Sequence, residues 1–100
     1  MKLREVAHSR TGDKGDVSNI SVIAYSAGDW PLIERTVTRE RVARHFGIER
    51  MDDVERYALP QLHALNFVLH GTLAGGVTRS LALDAHGKGL GATLLDIEIG

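Results

Sequence analysis

Apolar and polar residues follow one another along this 100-residue chain in blocks that predict strands and helices. Leu3–Ala7 and Val17–Tyr25 are predicted strands, and the second is apolar on both faces, as expected of a central strand. Val37–Phe46 predicts a helix, because Thr38 can serve as its N-cap and Gly47 stands just beyond its last apolar residue. The first half of the chain therefore predicts two strands and one helix.

The second half predicts four further elements. Val54–Leu59 is a predicted short strand, closed by Pro60. Gln61–Leu73 repeats apolar residues at positions 62, 65, 69 and 73, and this spacing predicts a second helix. Val77–Asp84 and Leu90–Ile99 then alternate around a glycine-rich turn, which predicts a β-hairpin. The order favours an α+β two-layer sandwich, with a mostly antiparallel sheet and two helices on one face.

The composition is that of an ordinary globular protein, with 43% hydrophobic and 25% charged residues. We expect residues 1–100 to form one domain, since a second core would need a longer chain. The formal net charge is -1, whereas a nucleic-acid-binding domain usually has a clustered basic excess. The densest basic group is interrupted by glutamates and is interpreted as a solvated helix face; its members are Arg35, Arg39, Arg41 and Arg44.

The chain contains no cysteine, which excludes disulfides, thiolate nucleophiles, zinc–thiolate sites and iron–sulfur clusters. A membrane-spanning helix would need about 18 consecutive apolar residues, and the sequence has no such run. Arg4 and Glu5 interrupt any signal peptide. We therefore expect a cytoplasmic protein without membrane contact. A domain of this size has a small free energy of unfolding, and association with another chain would increase it.

The polar stretch His8–Asn19 joins the first two predicted strands and carries more chemistry than a turn requires. Its glycines permit the close approach of a ligand, and its exposed backbone N–H groups and basic side chains can hold an anion. The resulting hypothesis is a phosphate or carboxylate site formed by Arg10, Gly12, Asp13, Lys14, Gly15, Asp16 and Asn19. Alternatively, the two aspartates cap backbone N–H groups and pair with the basic side chains.

Neither a cofactor nor a metal ion is expected. The polar stretch lacks the glycine spacing of a Walker loop or a dinucleotide fingerprint. Its carboxylates recur every three residues, unlike the alternating ligands of an EF-hand. His63 and His70 lie too far apart on the predicted second helix to share a metal ion. Asn66 interrupts the same apolar segment and requires a hydrogen-bond partner.

Two further places are candidates for chemistry. His8 stands at the start of the polar stretch and could act as an acid or base near neutral pH, with Asp13 or Asp16 as its partner. Thr78 and Arg79 follow a pair of glycines, so that backbone, hydroxyl and guanidinium groups converge on a second possible ligand-binding point. The familiar catalytic motifs of serine hydrolases and zinc proteases do not occur. The residues alone therefore do not establish an enzyme.

Three separated blocks of the sequence resemble the C-terminal domain of the acyclic terpene utilisation A (AtuA) family. His8–Asp16 together with Ser18-Asn19 is similar to the family signature A-x-[SR]-G-D-K-G-D-x-x-N. The later blocks are Arg56–Pro60 with Leu65–Leu69, and Gly75–Leu81. The resemblance covers essentially the whole chain, and what it transfers is the polar motif itself.

The resemblance implies a ferredoxin-like α+β fold without an iron–sulfur cluster. The usual element order of that fold is βαββαβ, with a hairpin between the helices. The elements predicted above differ, because they place the hairpin at the C-terminal end and add a strand at the N-terminal end. In the family, the domain often follows a larger region associated with the breakdown of terpenoid or branched acyl-CoA compounds. The resemblance thus implies an accessory subunit or domain that works with a separate large AtuA-like chain.

Two alternatives remain open. The first is a self-contained small hydratase or isomerase that uses His8 with Asp13 or Asp16. The second is a homo-oligomeric module that binds a ligand, with edge strands paired between copies. In each case the expected ligand is an acyl-CoA or another anionic small molecule.

Overall fold

The computed structural model describes residues 1–14, 17–70 and 89–100, and its centre is a four-stranded sheet. The strands are β1 (Ala7–Lys14), β2 (Val17–Ala24), β3 (Val54–Leu59) and β4 (Ala64–His70). They lie in the order β1-β2-β4-β3, and every neighbouring pair is antiparallel. β2 is therefore a central strand, in agreement with its apolar residues on both faces.

Within the described residues, three helices accompany the sheet: α1 (Trp30–Thr36), α2 (Arg39–Phe46) and α3 (Gly89–Leu94). Their apolar side chains join the inward-facing side chains of the strands in one buried core. The helices therefore cover a single face of the sheet, and the predicted α+β sandwich is confirmed. Fully buried members of this core include Ile20, Val22, Ile33, Val42, Phe46, Leu65, Phe67, Leu69 and Leu94.

Helix α2 has the ends that its sequence predicts. The Thr38 side-chain oxygen accepts a hydrogen bond from the backbone N–H of Arg41 at 3.2 Å, as an N-cap does. Gly47 follows the last turn with φ of 71°, a left-handed conformation that glycine adopts without steric cost. The helix begins at Arg39 instead of the predicted Val37.

Helix α1 precedes α2 and was not predicted. Pro31 lies in its first turn, where the missing N–H group costs nothing. At its other end, the Arg56 guanidinium donates to the carbonyl oxygens of Val37 at 3.0 Å and Glu34 at 2.6 Å. Arg56 thereby supplies donors to carbonyls that have no partner within the helix.

The predicted strand over Leu3–Ala7 is wrong. Leu3–Glu5 form a short 3-10 helix, in which the Glu5 carboxylate accepts from the backbone N–H of Lys2 at 2.7 Å. β1 begins at Ala7 and pairs with β2 from Ala7↔Ala24 to Lys14↔Val17. The polar stretch is therefore not a loop, because almost all of it belongs to the two strands of a hairpin.

The predicted helix over Gln61–Leu73 is also wrong, since its centre is strand β4. Leu65, Phe67 and Leu69 are buried, and the residues between them are half-buried. This burial pattern has a period of two, and it arises because β4 pairs with β2 on one side and β3 on the other. His63 and His70 therefore do not share a helix.

The C-terminal strand predicted over Leu90–Ile99 is wrong for most of its length. Leu90 and Leu94 lie one helical turn apart in α3 and are both buried. Only Ile97 and Ile99 keep the alternating burial of an extended chain, and the bridge Lys2↔Glu98 ties this end to the N-terminal segment. The partner strand predicted over Val77–Asp84, and thus the hairpin, lies outside the described residues.

The order of the described elements resolves the difference from a ferredoxin-like fold. The hairpin that lies between helices is β3–β4, after α2 and before α3. The discrepancy arose because β4 was interpreted as a helix. The additional strand is β1, which occupies the sheet edge beside β2.

Candidate functional site

The face of the sheet turned away from the helices, here called the outer face, gathers polar residues from all four strands. The strand register places Arg10 of β1 opposite Ser21 of β2, Ser21 opposite Asn66 of β4, and Asn66 opposite Tyr57 of β3. Ser21 Oγ donates to Asn66 Oδ1 at 3.2 Å. The predicted need of Asn66 for a hydrogen-bond partner is thus met by a cross-strand neighbour.

A second row on the outer face contains two residues of the polar motif. Gly12 pairs with Asn19, which pairs with Val68, which in turn pairs with Glu55. Asn19 is exposed, and a Cβ atom placed on Gly12 would meet nothing within 4 Å. The surface beside Arg10 is therefore open enough for a ligand to lie against the backbone.

The remaining predicted ligand-binding residues are only partly placed. Asp13 and Lys14 belong to β1, where their backbones pair with Ser18 and Val17. Gly15, Asp16, Thr78 and Arg79 lie outside the described residues. The structure thus brings Arg10, Gly12 and Asn19 together on one surface, and their role in binding stays a prediction.

His8 lies near the start of β1, and its ring stacks on Tyr25 with centroids 5.3 Å apart. Asp13 is five residues farther along the same strand, which corresponds to roughly 16 Å at about 3.3 Å per residue. A general acid and base that act on one proton lie within hydrogen-bond reach of a shared group. The extended strand therefore keeps this pair apart instead of joining it.

A cluster that the sequence did not predict lies at the β3 side of the outer face. The Tyr57 hydroxyl donates to Glu55 Oε1, and His70 Nε2 contacts Glu55 Oε2. The side chains of His70 and Glu55 are 42% and 40% exposed, so solvent reaches both. One carboxylate therefore connects a phenol and an imidazole on two adjacent strands.

Hydrogen bonding shifts the acid–base behaviour of this cluster. The bond from Tyr57, followed by that from His70, holds the pKa of Glu55 below its usual range. The same bond to Glu55, together with the carboxylate's negative charge, raises the pKa of Tyr57. The donors stabilise the charged form of Glu55, whereas the hydrogen bond and the nearby negative charge favour the neutral phenol of Tyr57 over its phenolate. Near neutral pH, Glu55 is an anion and Tyr57 is a neutral donor.

The sequence model of the AtuA ferredoxin-like domain family matches residues 1–100, the whole chain. The chain belongs to this family. It matches no curated protein and no solved structure. The family assignment agrees with the hairpin between helices and with the antiparallel sheet described above.

In this AtuA ferredoxin-like domain, sequence reasoning missed Glu55, Tyr57 and His70. A signal for them exists in the alternation of Leu65, Phe67 and Leu69, which places Asn66, Val68 and His70 on the opposite face of a strand. The helical interpretation of the same residues concealed it. Glu55 and Tyr57 follow from the matching alternation in β3.

Metal-binding groups and membrane-spanning helices were sought in the described part of the AtuA ferredoxin-like domain. None of its residues form a group of three or more histidine, cysteine, aspartate or glutamate side chains that could hold a metal ion. None of its helices is long and apolar enough to cross a bilayer.

A second polar region of the domain lies where α2 meets the C-terminal segment, around a cavity of about 370 Å³. Arg41 lines it and donates to the backbone oxygens of Glu98 and Thr36. Asp96 lines it as well and forms an ion pair with Arg4. Arg41 and Asp96 thus tie the C-terminal segment to α2 and to the N-terminal segment.

Proposed function

We propose that this AtuA ferredoxin-like domain is an accessory domain or small subunit of a cytoplasmic system that processes terpenoid or branched acyl-CoA compounds. Its outer face would complete a site shared with a large AtuA-like chain. Arg10, Gly12 and Asn19 would contact an anionic group of the ligand, or the partner itself. These residues belong to the polar stretch His8–Asn19, which resembles the signature of the family.

The observation that carries the proposal is the mixed character of the outer face. Tyr57 and Leu59 are 48% and 42% exposed, and they adjoin the polar row of Ser21 and Asn66. Interfaces characteristically combine exposed aromatic and aliphatic anchors with polar groups at their edge. A partner that covers this face would bury the apolar side chains and surround the polar row.

A reaction on the outer face would also need a second protein surface to enclose the ligand. Ligand sites are usually concave and bury most of the ligand, and a reaction site gains from the exclusion of water. The outer face instead presents its polar side chains on a sheet, half exposed to solvent. This arrangement favours half of a composite site over a self-contained enzyme, and it fits the separation of His8 from Asp13.

The proposal is tested by co-expression with the large AtuA-like chain of the same genome, followed by light scattering and affinity measurement. We expect a stable complex, and we expect Arg10→Glu to weaken it by roughly tenfold or more, as the loss of a charged interface contact does. Arg35→Glu makes the same change in charge on the exposed helical layer and serves as the matched control.

Two outcomes would overturn the proposal. The first is the absence of a complex with the large chain at micromolar concentrations. The second is equal weakening by Arg10→Glu and Arg35→Glu, which would remove the outer face from the interface. A domain that forms only a complex with itself, sensitive to Arg10→Glu, would replace the proposal with the homo-oligomeric module.

A further inference from the structure

The Glu55 carboxylate determines which tautomer the neutral His70 ring adopts. An ionised carboxylate can only accept hydrogen bonds, and its two oxygens contact Tyr57 and His70. The contact with His70 uses Nε2, so in the neutral ring Nε2 carries the proton. The other ring nitrogen, Nδ1, is then an acceptor.

Glu55 also fixes the orientation of the His70 ring, because its Oε2 atom contacts Nε2 and leaves Nδ1 directed away from the carboxylate. Tyr57 fixes the carboxylate from the other side, so the acceptor of the His70 proton does not rotate away. A carboxylate that orients a histidine in this way is the arrangement of a catalytic dyad.

The outer-face neighbours of His70 on β2 and β4 are apolar. On β2 the residue opposite His70 is Val17, and on β4 the preceding residue of the same face is Val68. Glu55 and Tyr57 are the titratable groups that β3 directs to this side of the described sheet. The turn before β3 adds Asp52 and Asp53 near the end of β4.

Arg10 provides a cation at a distance that suits an elongated ligand. It lies two strands from β4, in the row of Asn66, and His70 is four residues farther along β4. At about 4.8 Å per strand and 3.3 Å per residue, their backbones are roughly 16 Å apart. Arg10 forms no ion pair with the described residues, so it is available to an anion.

We infer that His70 is a proton-transfer residue, oriented by Glu55 and Tyr57, and that it acts on an anionic acyl compound bound across the outer face. An acidic X–H bond of the substrate breaks, a bond forms between the proton and Nδ1, and the electron pair remains on the substrate. The Glu55 anion balances the imidazolium, and the proton returns to the substrate or to water. The inference rests on the proposed function for its substrate class.

The first experiment measures the chemical reactivity of His70 in the isolated domain, without any partner. Diethyl pyrocarbonate acylates unprotonated imidazole nitrogens. At about pH 8, where an ordinary imidazole is unprotonated, the rate that mass spectrometry reports at each histidine therefore measures the nucleophilicity of its free ring nitrogen. We expect Glu55→Gln to slow the reaction of His70 several-fold and Tyr57→Phe to slow it less. His63, which contacts Trp30 instead, should react at an unchanged rate in both variants. An unchanged or a higher rate at His70 in Glu55→Gln would overturn the inference.

Sodium decanoate, below the concentration at which it forms micelles, then serves as the anionic acyl probe. We expect it to protect His70 from acylation in the wild-type domain and to lose this effect in Arg10→Glu. Protection that persists in Arg10→Glu, or that extends equally to His63, would overturn the assignment of the ligand.

Turnover is measured in the complex with the large chain, supplied with a branched acyl-CoA. His70→Gln is expected to lower kcat by roughly 100-fold or more without raising KM, the effect of losing a general base. His63→Asn is the control. His63 has a φ of 51°, a left-handed conformation that asparagine tolerates. Equal rates of His70→Gln and wild type would overturn the role of His70. Failure of complex formation, with the isolated-domain results intact, would overturn the proposed function instead.

Discussion

Replacement of Gly91 by alanine would insert a methyl group where α3 meets β1. A Cβ atom at this position would lie 2.4 Å from Thr11 Oγ1, 2.7 Å from Ser9 Oγ and 3.3 Å from Ser9 Cβ. Gly91 is buried, and its backbone N–H donates to Thr11 Oγ1 at 2.9 Å. The methyl group and the hydrogen bond therefore compete for the same space.

Three contributions set the size of the effect. Alanine is favoured over glycine in a helix by about 1 kcal/mol, which opposes the loss. Overpacking costs about 1–3 kcal/mol, and the displaced hydrogen bond costs about 0.5–1.5 kcal/mol. The balance predicts a free energy of unfolding lower by about 1–3 kcal/mol. Since about 1 kcal/mol corresponds to roughly 4–8 °C in a domain of this size, Tm should fall by at least several degrees.

Urea and thermal unfolding, followed by circular dichroism, measure this change. Gly28→Ala is the matched control, because its Cβ atom would meet only Ser26 Oγ, at an ordinary 3.7 Å. The double variant Thr11→Ala/Gly91→Ala removes the nearest obstructing oxygen and should recover at least about 0.5 kcal/mol relative to additivity. An increase in stability for Gly91→Ala, or strict additivity with Thr11→Ala, would refute the close packing of α3 on β1.

Three further predictions concern stability. Arg56→Met leaves two carbonyls at the end of α1 without their donor and should cost about 1–3 kcal/mol in urea unfolding; Arg35→Met, on the exposed side of α1, is its control. Thr38→Ala removes the α2 N-cap and should cost about 1 kcal/mol, an effect that Thr38→Ser would largely avoid. Hydrogen bonding to Arg4 lowers the pKa of Asp96. The ion pair therefore stabilises the fold fully at pH values above the usual pKa of aspartate, and this stabilisation is lost as the pH falls through the lowered pKa. Asp96→Asn should thus cost at most about 1 kcal/mol at neutral pH, because the pair is half exposed, with no difference from wild type in strong acid; a deficit that persists there, or in 1 M salt, would contradict this account.

Elements with an unambiguous local pattern were predicted correctly. Val54–Leu59 has the predicted bounds, and α2 has its predicted cap and end. β2 differs only in its last residue. Each of these segments has its own local signal: α2 has a capping residue and a glycine after its last turn, β2 has several β-branched residues, and Pro60 closes β3.

The failures occur where one pattern fits two periods. Leu65 and Leu69 are compatible with a helical stripe and with a strand, because a spacing of four is a multiple of two and close to a helical turn. Phe67 decides between them, since it is buried with its two neighbours only in a strand. The pairing that enforces this period comes from β2, more than forty residues earlier in the chain. The local sequence contains the alternation, but it does not contain the pairing that selects the strand over the helix.

β1 was missed for a different reason. Its core-facing residues Ser9 and Thr11 are small and polar, because Gly91 of α3 approaches them closely. A strand is normally predicted from apolar residues on its buried face. In β1, the Thr11 hydroxyl stands where an apolar side chain is expected, and it accepts a hydrogen bond from the backbone N–H of Gly91 in α3. The polar composition thus has a structural cause on one face of β1, which leaves the outer face, with Arg10 and Gly12, as the one that bears on function.

The cluster around Glu55 shows why a site of this kind escapes a motif search. Glu55 and His70 are separated by fifteen residues, and neither stands in a recognisable motif. The register pairs Glu55 with Val68, so His70 is the diagonal neighbour two residues farther along β4, within reach of a long side chain. A shift of the register by one residue would move His70 to the other face of the sheet relative to Glu55. The dyad is therefore a property of the β3–β4 pairing itself, and any change that slips this hairpin should remove the reactivity of His70 while leaving every residue of the cluster in place.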